Sequence, residues 1–337
     1  MISLNETAKL LTPLFKAGIV PYLKGPPGIG KSSVLHTLAQ QHSLKIIDLR
    51  LSQCDPTELS GFPYFDHQTK TASYYPLDVF PIESTPIPTG FKGWLCLLDE
   101  FSSASLATQA AAYKLVLDRM VGQHKLHPNV VICAAGNREE DNAIVNPMSS
   151  ALVSRFAIFD TELNYSEWME LAIDRGISST ITSYLRFKPE SLYTFKPETA
   201  DKPYACPRTW FAVDRLLKTS KPDSSSSLLF SSLLGTGVGV EFANFIAIQK
   251  DLPTIEEILA NPEQLPIPDD LSIRWAVIGF LAENITAKTI PALSKYLDRF
   301  PHELRVVALR EIQKRHPEFR TNDAYNAWVA KTAAETL

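Results

Sequence analysis

The stretch Gly25-Pro26-Pro27-Gly28-Ile29-Gly30-Lys31-Ser32 constrains the fold more than any other part of this 337-residue chain. It fits G-x-x-x-x-G-K-[ST], a pattern that works only where a strand runs into a loop that opens a helix. Gly25, Gly28 and Gly30 let the backbone wrap so closely that successive N–H groups point inward at phosphate oxygens. The helix N-terminus adds partial positive charge. Val20–Leu23 reads as the strand and the region near Ser32–His42 as the helix. Within that frame Lys31 is expected to reach the β- and γ-phosphates of ATP, and the Ser32 hydroxyl to ligate Mg2+. Ser33 completes the set of residues expected against the nucleotide.

The rest of the first half has the pattern of a buried parallel sheet. Lys45–Leu51, Trp94–Glu100, Val130–Asn137 and Phe156–Leu163 are apolar runs that turn polar only at their C-terminal ends. Such runs suit strands buried on both faces, in sheets whose ligands collect at the carboxyl ends. The expected fold class is therefore α/β, a P-loop NTPase αβα core with a five-stranded parallel sheet over residues 1–163. Asn5–Ala17 carries leucines and Phe15 at helical spacing, and Asp55 is a candidate N-cap for a short helix. FPYFD, HQTK and TASYYP read as strand, turn and strand, a β-hairpin insertion near residues 62–76. From Asn164 onward helices dominate, among them Asn164–Gly176, Thr180–Phe187 and Pro207–Ser220, the last with Pro207 in its first turn. A helical lid is expected over residues 164–223, and a helical C-terminal region over 224–337. The boundary between them lies in the loop Lys221–Ser227, and a helical stretch follows over Leu228–Lys250.

Two further signals carry chemistry. In Leu95–Glu100, Asp99 at the strand end would hold magnesium through its water shell, and Glu100 would orient or deprotonate an attacking water. In-line phosphoryl transfer needs positioning and charge neutralisation more than covalent chemistry, and this pair supplies both. An acid directly after Asp99 favours transfer to water over transfer to a substrate hydroxyl. Asn137 ends the next strand, where its amide would hold the water or the γ-phosphate from the side opposite Glu100.

Composition excludes several classes. A net charge of −4 and a pI near 6.0 leave no electrostatic footprint for nucleic acid. The densest basic stretch, Arg305–Arg320, is diluted by Glu303, Glu311 and Glu318 and reads as a solvated helix face. Cys54, Cys96, Cys133 and Cys206 lack the spacing of a zinc site or a disulfide framework. Cys96 and Cys133 sit in apolar runs as core residues. The N-terminus lacks the pattern of a signal peptide and no run has the length of a membrane span, so a cytoplasmic setting is expected.

Gly25–Ser32, LLDEFSSA at Leu97–Ala104, AAGN at Ala134–Asn137, NPMSSALVSRF at Asn146–Phe156 and CPRTW at Cys206–Trp210 occur in that order. Together they resemble an AAA+ ATPase of the MoxR family, over about Val20 to Leu217. The resemblance implies a homo-hexameric ring with ATP between neighbouring subunits and a chaperone-like action on a protein client, in many relatives beside a von Willebrand factor A domain protein. It implies that Arg155 is the arginine finger reaching the next subunit's γ-phosphate, with Arg138 as the rival. It also implies that Arg208 is the sensor-2 arginine linking the helical lid to the nucleotide. Two of these arginines have a plainer reading, Arg155 as a residue pairing with a local acid and Arg208 as an ordinary surface arginine. The hairpin near 62–76 matches the family's channel-facing insertion, so Tyr64, Phe65, Tyr74 and Tyr75 either grip a partner or simply pack on one another. A second loop, Gly122–Pro128, sits where the family carries another hairpin. The chain departs from the family at Gly136–Asp141 (GNREED, where many members have Gln-Asn-Pro) and in its helices beyond Leu228. The alternatives are a nucleic-acid motor or loader on the same core, a small-molecule kinase, and a nucleotide-dependent switch with slow turnover.

Overall fold

The computed structural model describes residues 1–141, 146–199, 201–220, 224–248 and 252–335. The chain divides into two compact units, Met1–Asn164 with Lys196–Ala200 and Tyr165–Phe195 with Asp201–Leu337. The first three residues of the expected boundary loop, Lys221 to Asp223, and the end of the expected helix, Gln249 and Lys250, lie outside the described residues.

The first unit runs β1 (Ile2–Ser3), α1 (Leu4–Lys16), β2 (Val20–Lys24), α2 (Lys31–Gln41), β3 (Leu44–Arg50), α3 (Pro56–Ser60), β4 (Phe62–Asp66), β5 (Thr71–Tyr75), β6 (Gly93–Asp99), α4 (Leu106–Asp118), β7 (Met120–Val121), β8 (His124–Lys125), β9 (Val130–Gly136), α5 (Ser150–Val153) and β10 (Phe156–Glu162). Six strands form one sheet in the order β1-β10-β2-β9-β6-β3, and every adjacent pair is parallel. Five are the strands expected from apolar runs. The sixth, β1, is two residues long, too short to show a period, and is fixed by Ser3, which caps α1 in a reciprocal capping box with Glu6.

Along β6 every residue from Gly93 to Leu98 is buried. Trp94, Cys96 and Leu98 join a core with Ala112, Leu115 and Val116 of α4 and Leu59 of α3. The alternate residues Leu95 and Leu97, also fully buried, face the other way by the two-residue period of a strand. Helices α1 and α2 pack against the sheet as well. A sheet covered on both faces explains why its strands read as continuous apolar runs.

Asp55 caps α3, and the hairpin follows it directly. Strands β4 and β5 pair antiparallel with Tyr64 opposite Ser73. Tyr64 and Tyr75 stack with ring centroids 4.3 Å apart, yet Phe65 remains 70% exposed and Phe62 and Tyr75 are half exposed. Packing on one another thus accounts for Tyr64 and Tyr75, while Phe62 and Phe65 stay open to solvent. Strands β7 and β8 form a second, shorter hairpin at the expected loop, and it touches the first where His124 Nε2 meets the Tyr74 carbonyl at 3.1 Å.

The second unit is helical, running α6 (Tyr165–Asp174), α7 (Ser179–Phe187), α8 (Pro207–Ser220), α9 (Ser227–Leu234), α10 (Thr236–Ile248), α11 (Ile255–Ala260), α12 (Leu271–Asn284), α13 (Ile290–Leu297), α14 (His302–Arg315) and α15 (Asp323–Ala334). The stretch expected as one helix from Leu228 is two, α9 and α10, broken at Gly235. That residue has φ +83° and no room for a side chain, because a Cβ would lie 2.7 Å from the Pro203 carbonyl. The basic stretch Arg305–Arg320 also differs from expectation. Glu311 is fully buried and accepts from Arg186 and Arg315, and Arg305 is buried against Glu335. Glu303, Arg310, Glu318 and Arg320 are exposed as expected, whereas Arg305, Glu311 and Arg315 are internal ties of the bundle.

Candidate functional site

The strand order explains why distant motifs meet. Strand β9 lies between β2 and β6, so Asn137 at its end sits between the glycine loop after β2 and the acids after β6. The backbones join at the rim, where Gly25 N–H donates to the Gly136 carbonyl at 3.2 Å.

The loop opens α2 through Gly30, whose φ of +110° is left-handed and open to glycine at little cost. Gly28 is left-handed as well, at +78°. Gly25 is needed for a different reason. A Cβ there would lie 2.4 Å from Thr161 Oγ1 and 2.8 Å from the Thr161 carbonyl. The Thr161 hydroxyl in turn donates to the Lys24 carbonyl at 3.0 Å, so β10 forms the back wall of the loop. Pro26, Pro27 and Gly28 are half-buried along the loop, and Ile29 is buried beneath it.

Lys31 is buried to 8% exposure, and its ammonium donates to the carbonyls of Gly25 at 2.7 Å and Pro26 at 2.8 Å and to Asn137 Oδ1 at 3.1 Å. The Ser32 hydroxyl donates to Asp99 Oδ2 at 2.6 Å. Ser33 follows on the first turn of α2. A hydroxyl and a carboxylate in contact are the hard oxygen donors that Mg2+ selects, so the residues fit that ion.

Glu100 adopts φ +54°, ψ +33°, a left-handed conformation rare for a side-chain-bearing residue. Such strain costs on the order of 1–3 kcal/mol and persists only where the surroundings impose it. Here Glu100 N–H donates to Asp99 Oδ1 at 2.8 Å, and Ser52, just beyond β3, donates its hydroxyl to Glu100 Oε2. The turn swings the Glu100 carboxylate off the line of β6 and a second strand end holds it there. Behind the acids, burial raises the Cys133 thiol well above its ordinary value, with Asp99 and Cys96 adding to the shift, so it stays protonated. Burial likewise pushes the Tyr22 phenol up to about 12, against the opposing pull of a hydrogen bond with Ser102.

The arginines separate. Arg155 is exposed, and its guanidinium Nη1 donates to the neighbouring Ser154 Oγ at 3.0 Å. Among the described residues it forms no ion pair. Arg138 is turned inward, donating to the Thr161 carbonyl at 2.5 Å and lying 3.2 Å from Met1 Sδ. Arg208 belongs to the second unit, exposed on the first turn of α8.

Ser52, Ser102 and Thr161 escaped the sequence reading because lone hydroxyl residues follow no period. The one usable signal was position: Ser52 is the first polar side chain past a strand end.

No family model matches the chain, and no curated protein matches it. Among solved structures, a candidate ATPase from Cytophaga hutchinsonii is 14% identical, with a TM-score of 0.39 over 100% of this chain and 90% of that one. A RuvB variant from Thermotoga maritima is 13% identical, with a TM-score of 0.41 over 91% of this chain and 88% of its own. Another variant of that RuvB is 16% identical, with a TM-score of 0.39 over 89% and 90%. Likeness at this level carries no functional inference.

Proposed function

We propose that the chain is an AAA+ ATPase that hydrolyses Mg-ATP in a ring of like subunits, with MoxR-type work on a protein client as its use. The observation that carries this reading is the meeting of four adjacent strand ends, with Lys31 on Asn137, Ser32 on Asp99 and Glu100 held aside by Ser52.

In this reading the N–H groups of Gly28–Ser33 bind the phosphates and Lys31 offsets the charge growing between the β- and γ-phosphates. Magnesium, held by Ser32 and Asp99, would supply further charge neutralisation. Glu100 takes the proton of the attacking water, and Asn137 fixes that water or the γ-phosphate from the opposite side. Arg155, exposed and in no ion pair among the described residues, is the group left to act on a neighbouring subunit's γ-phosphate, a task that suits a planar, permanently charged guanidinium. Arg138, spent on Thr161, is the weaker candidate. Arg208 links the helical unit to the nucleotide. The exposed rings Phe62, Phe65, Tyr74 and Tyr75 meet the client. A von Willebrand factor A domain protein as partner rests on the family resemblance alone. Arg305 and Arg315 are committed to Glu335 and Glu311, which takes two of the cations of the densest basic stretch away from phosphate contact and so disfavours the nucleic-acid motor.

The test measures mass and ATPase rate with and without ATP for wild type, Glu100→Gln and Arg155→Ala. Expected are nucleotide-dependent hexamers, both variants nearly inactive, and tight ATP binding retained in Glu100→Gln. A monomer whose Arg155→Ala variant keeps full activity would refute the ring mechanism. Unaltered turnover in Glu100→Gln would refute the assignment of the base.

A further inference from the structure

Two residues past Glu100, Ser102 is 3% exposed, and its hydroxyl sits between the end of β9 and the middle of β2. Asn137 N–H donates to Ser102 Oγ at 3.0 Å. The Tyr22 phenol of β2 lies on the same side of Gly136 as this hydroxyl. Gly136 has no room for a side chain, since a Cβ there would be 2.3 Å from Tyr22 Oη and 2.7 Å from Ser102 Oγ. The Ser102 carbonyl, in its turn, accepts from Asn146 N–H at 2.7 Å, so the residue is tied on both sides.

We infer that Ser102 is a positioning residue for hydrolysis, setting where Asn137 stands against Lys31. The inference rests on the reading of Asn137 as part of the hydrolytic site. Its physical basis is the order of connections. Asn137 Oδ1 touches Lys31, its backbone N–H is anchored to Ser102, and Ser102 belongs to the loop that carries Glu100. One hydroxyl therefore locks the loop of the base to the end of β9. In a buried setting an N–H deprived of its acceptor does not stay where it was, because it must find another or go unsatisfied. The Asn137 side chain would move with it, and errors of even about 1 Å at a reacting centre cost large factors in rate. Nucleotide affinity, set by the loop Gly25–Ser33, does not run through this bond.

The experiment is a double-mutant cycle on the full chain, with kcat and KM for ATP, the dissociation constant of a fluorescent ATP analogue, and Tm measured for each variant. Ser102→Ala is expected to lower kcat about tenfold or more while the analogue binds within about twofold of wild type. In an Asn137→Ala background, Ser102→Ala is expected to have no further effect on kcat, because the residue it positions is gone. Ser102→Thr, which keeps the hydroxyl, is expected to restore much of the rate. Independent effects of the two substitutions, or parallel loss of Tm, binding and kcat in Ser102→Ala, overturn the inference in favour of a structural role. A slow Asn137→Ala beside a Ser102→Ala with wild-type kcat overturns this inference alone. A wild type without turnover, or an Asn137→Ala as fast as wild type, overturns the functional reading and this one with it.

Discussion

Gly25→Ala separates steric from conformational demands on the phosphate loop. Gly25 is not in the left-handed region, so alanine there carries no backbone penalty, and the whole effect is space. The new Cβ would sit 2.4 Å from Thr161 Oγ1 and 2.8 Å from its carbonyl, short of ordinary contact at 3.4 Å by about 1.0 and about 0.6 Å. The hydroxyl can rotate away, but the carbonyl is part of β10 and can yield only if the strand or the loop shifts. Overpacking of this kind costs about 1–3 kcal/mol. For a unit of this size that lowers Tm by about 2–12 °C. A loop displaced by about 0.6 Å also spoils its fit to phosphate, for an expected fall in kcat/KM of up to about a hundredfold. Gly18→Ala is the control: its φ of +69° makes alanine strained by about 1–2 kcal/mol, but nothing lies within 4 Å of the new atom. It should lower Tm comparably and leave ATP kinetics alone. Adding Thr161→Ala to Gly25→Ala should recover part of the loss, since the closer clash goes and the carbonyl stays. Wild-type ATP kinetics in Gly25→Ala, or equal kinetic damage from Gly18→Ala, would refute the claim that Thr161 sets the seat of the loop.

Two predictions address the scaffold. Glu311→Ala strands the buried guanidinium groups of Arg186 and Arg315 and leaves Thr182 Oγ1 without its 2.9 Å acceptor. It should destabilise the helical unit by about 3–5 kcal/mol, whereas replacing all three charged residues by apolar ones of similar volume should recover most of that in thermal unfolding. Tyr22 gives a pH signature. Its folded value, pushed up to about 12, lies above the unfolded one, so its stabilisation is complete below about pH 10 and is lost as pH rises toward about 12, by about 3 kcal/mol in all. Urea unfolding of wild type and Tyr22→Phe should show the wild type losing the advantage over that window, and parallel curves would count against it.

The fold was legible where burial imposes a pattern. Residues 94–98 and 130–135 are apolar without interruption because both sheet faces are covered, and their polar ends mark the ligand side. The glycine loop was legible because its glycines answer a backbone requirement that few other residues meet. What escaped has a physical reason in each case. Strand β1 is only Ile2 and Ser3, shorter than any period. The break at Gly235 was hidden because apolar residues continue on both sides, and a glycine inside a helical pattern marks no kink until Pro203 is seen against it. The charges of Arg305–Arg320 read as solvated because partners such as Arg186 and Glu335 lie far away in sequence. Ser52 and Ser102 were invisible for the opposite reason: they are common residues whose meaning comes only from what the fold brings beside them.

The contacts of Lys31 allow one further step in the proposed reaction. An ammonium has three donors, and the Gly25 carbonyl, the Pro26 carbonyl and Asn137 Oδ1 are three acceptors. A phosphate oxygen that approaches Lys31 must therefore displace one of them. The two carbonyls are fixed in the loop backbone and sit at 2.7 and 2.8 Å, whereas Asn137 is at 3.1 Å on a rotatable amide. The amide is the contact that exchanges. Its release turns Asn137 from a partner of the lysine into a donor and acceptor free to face the phosphate, while Ser102 keeps its backbone in place. Binding and positioning are then consecutive uses of one residue, and an Asn137→Asp variant should expose this. A carboxylate would hold the ammonium more tightly and repel the phosphate, so ATP affinity should fall further than in Asn137→Ala, which merely vacates the third donor. Equal affinity in the two variants would refute the exchange.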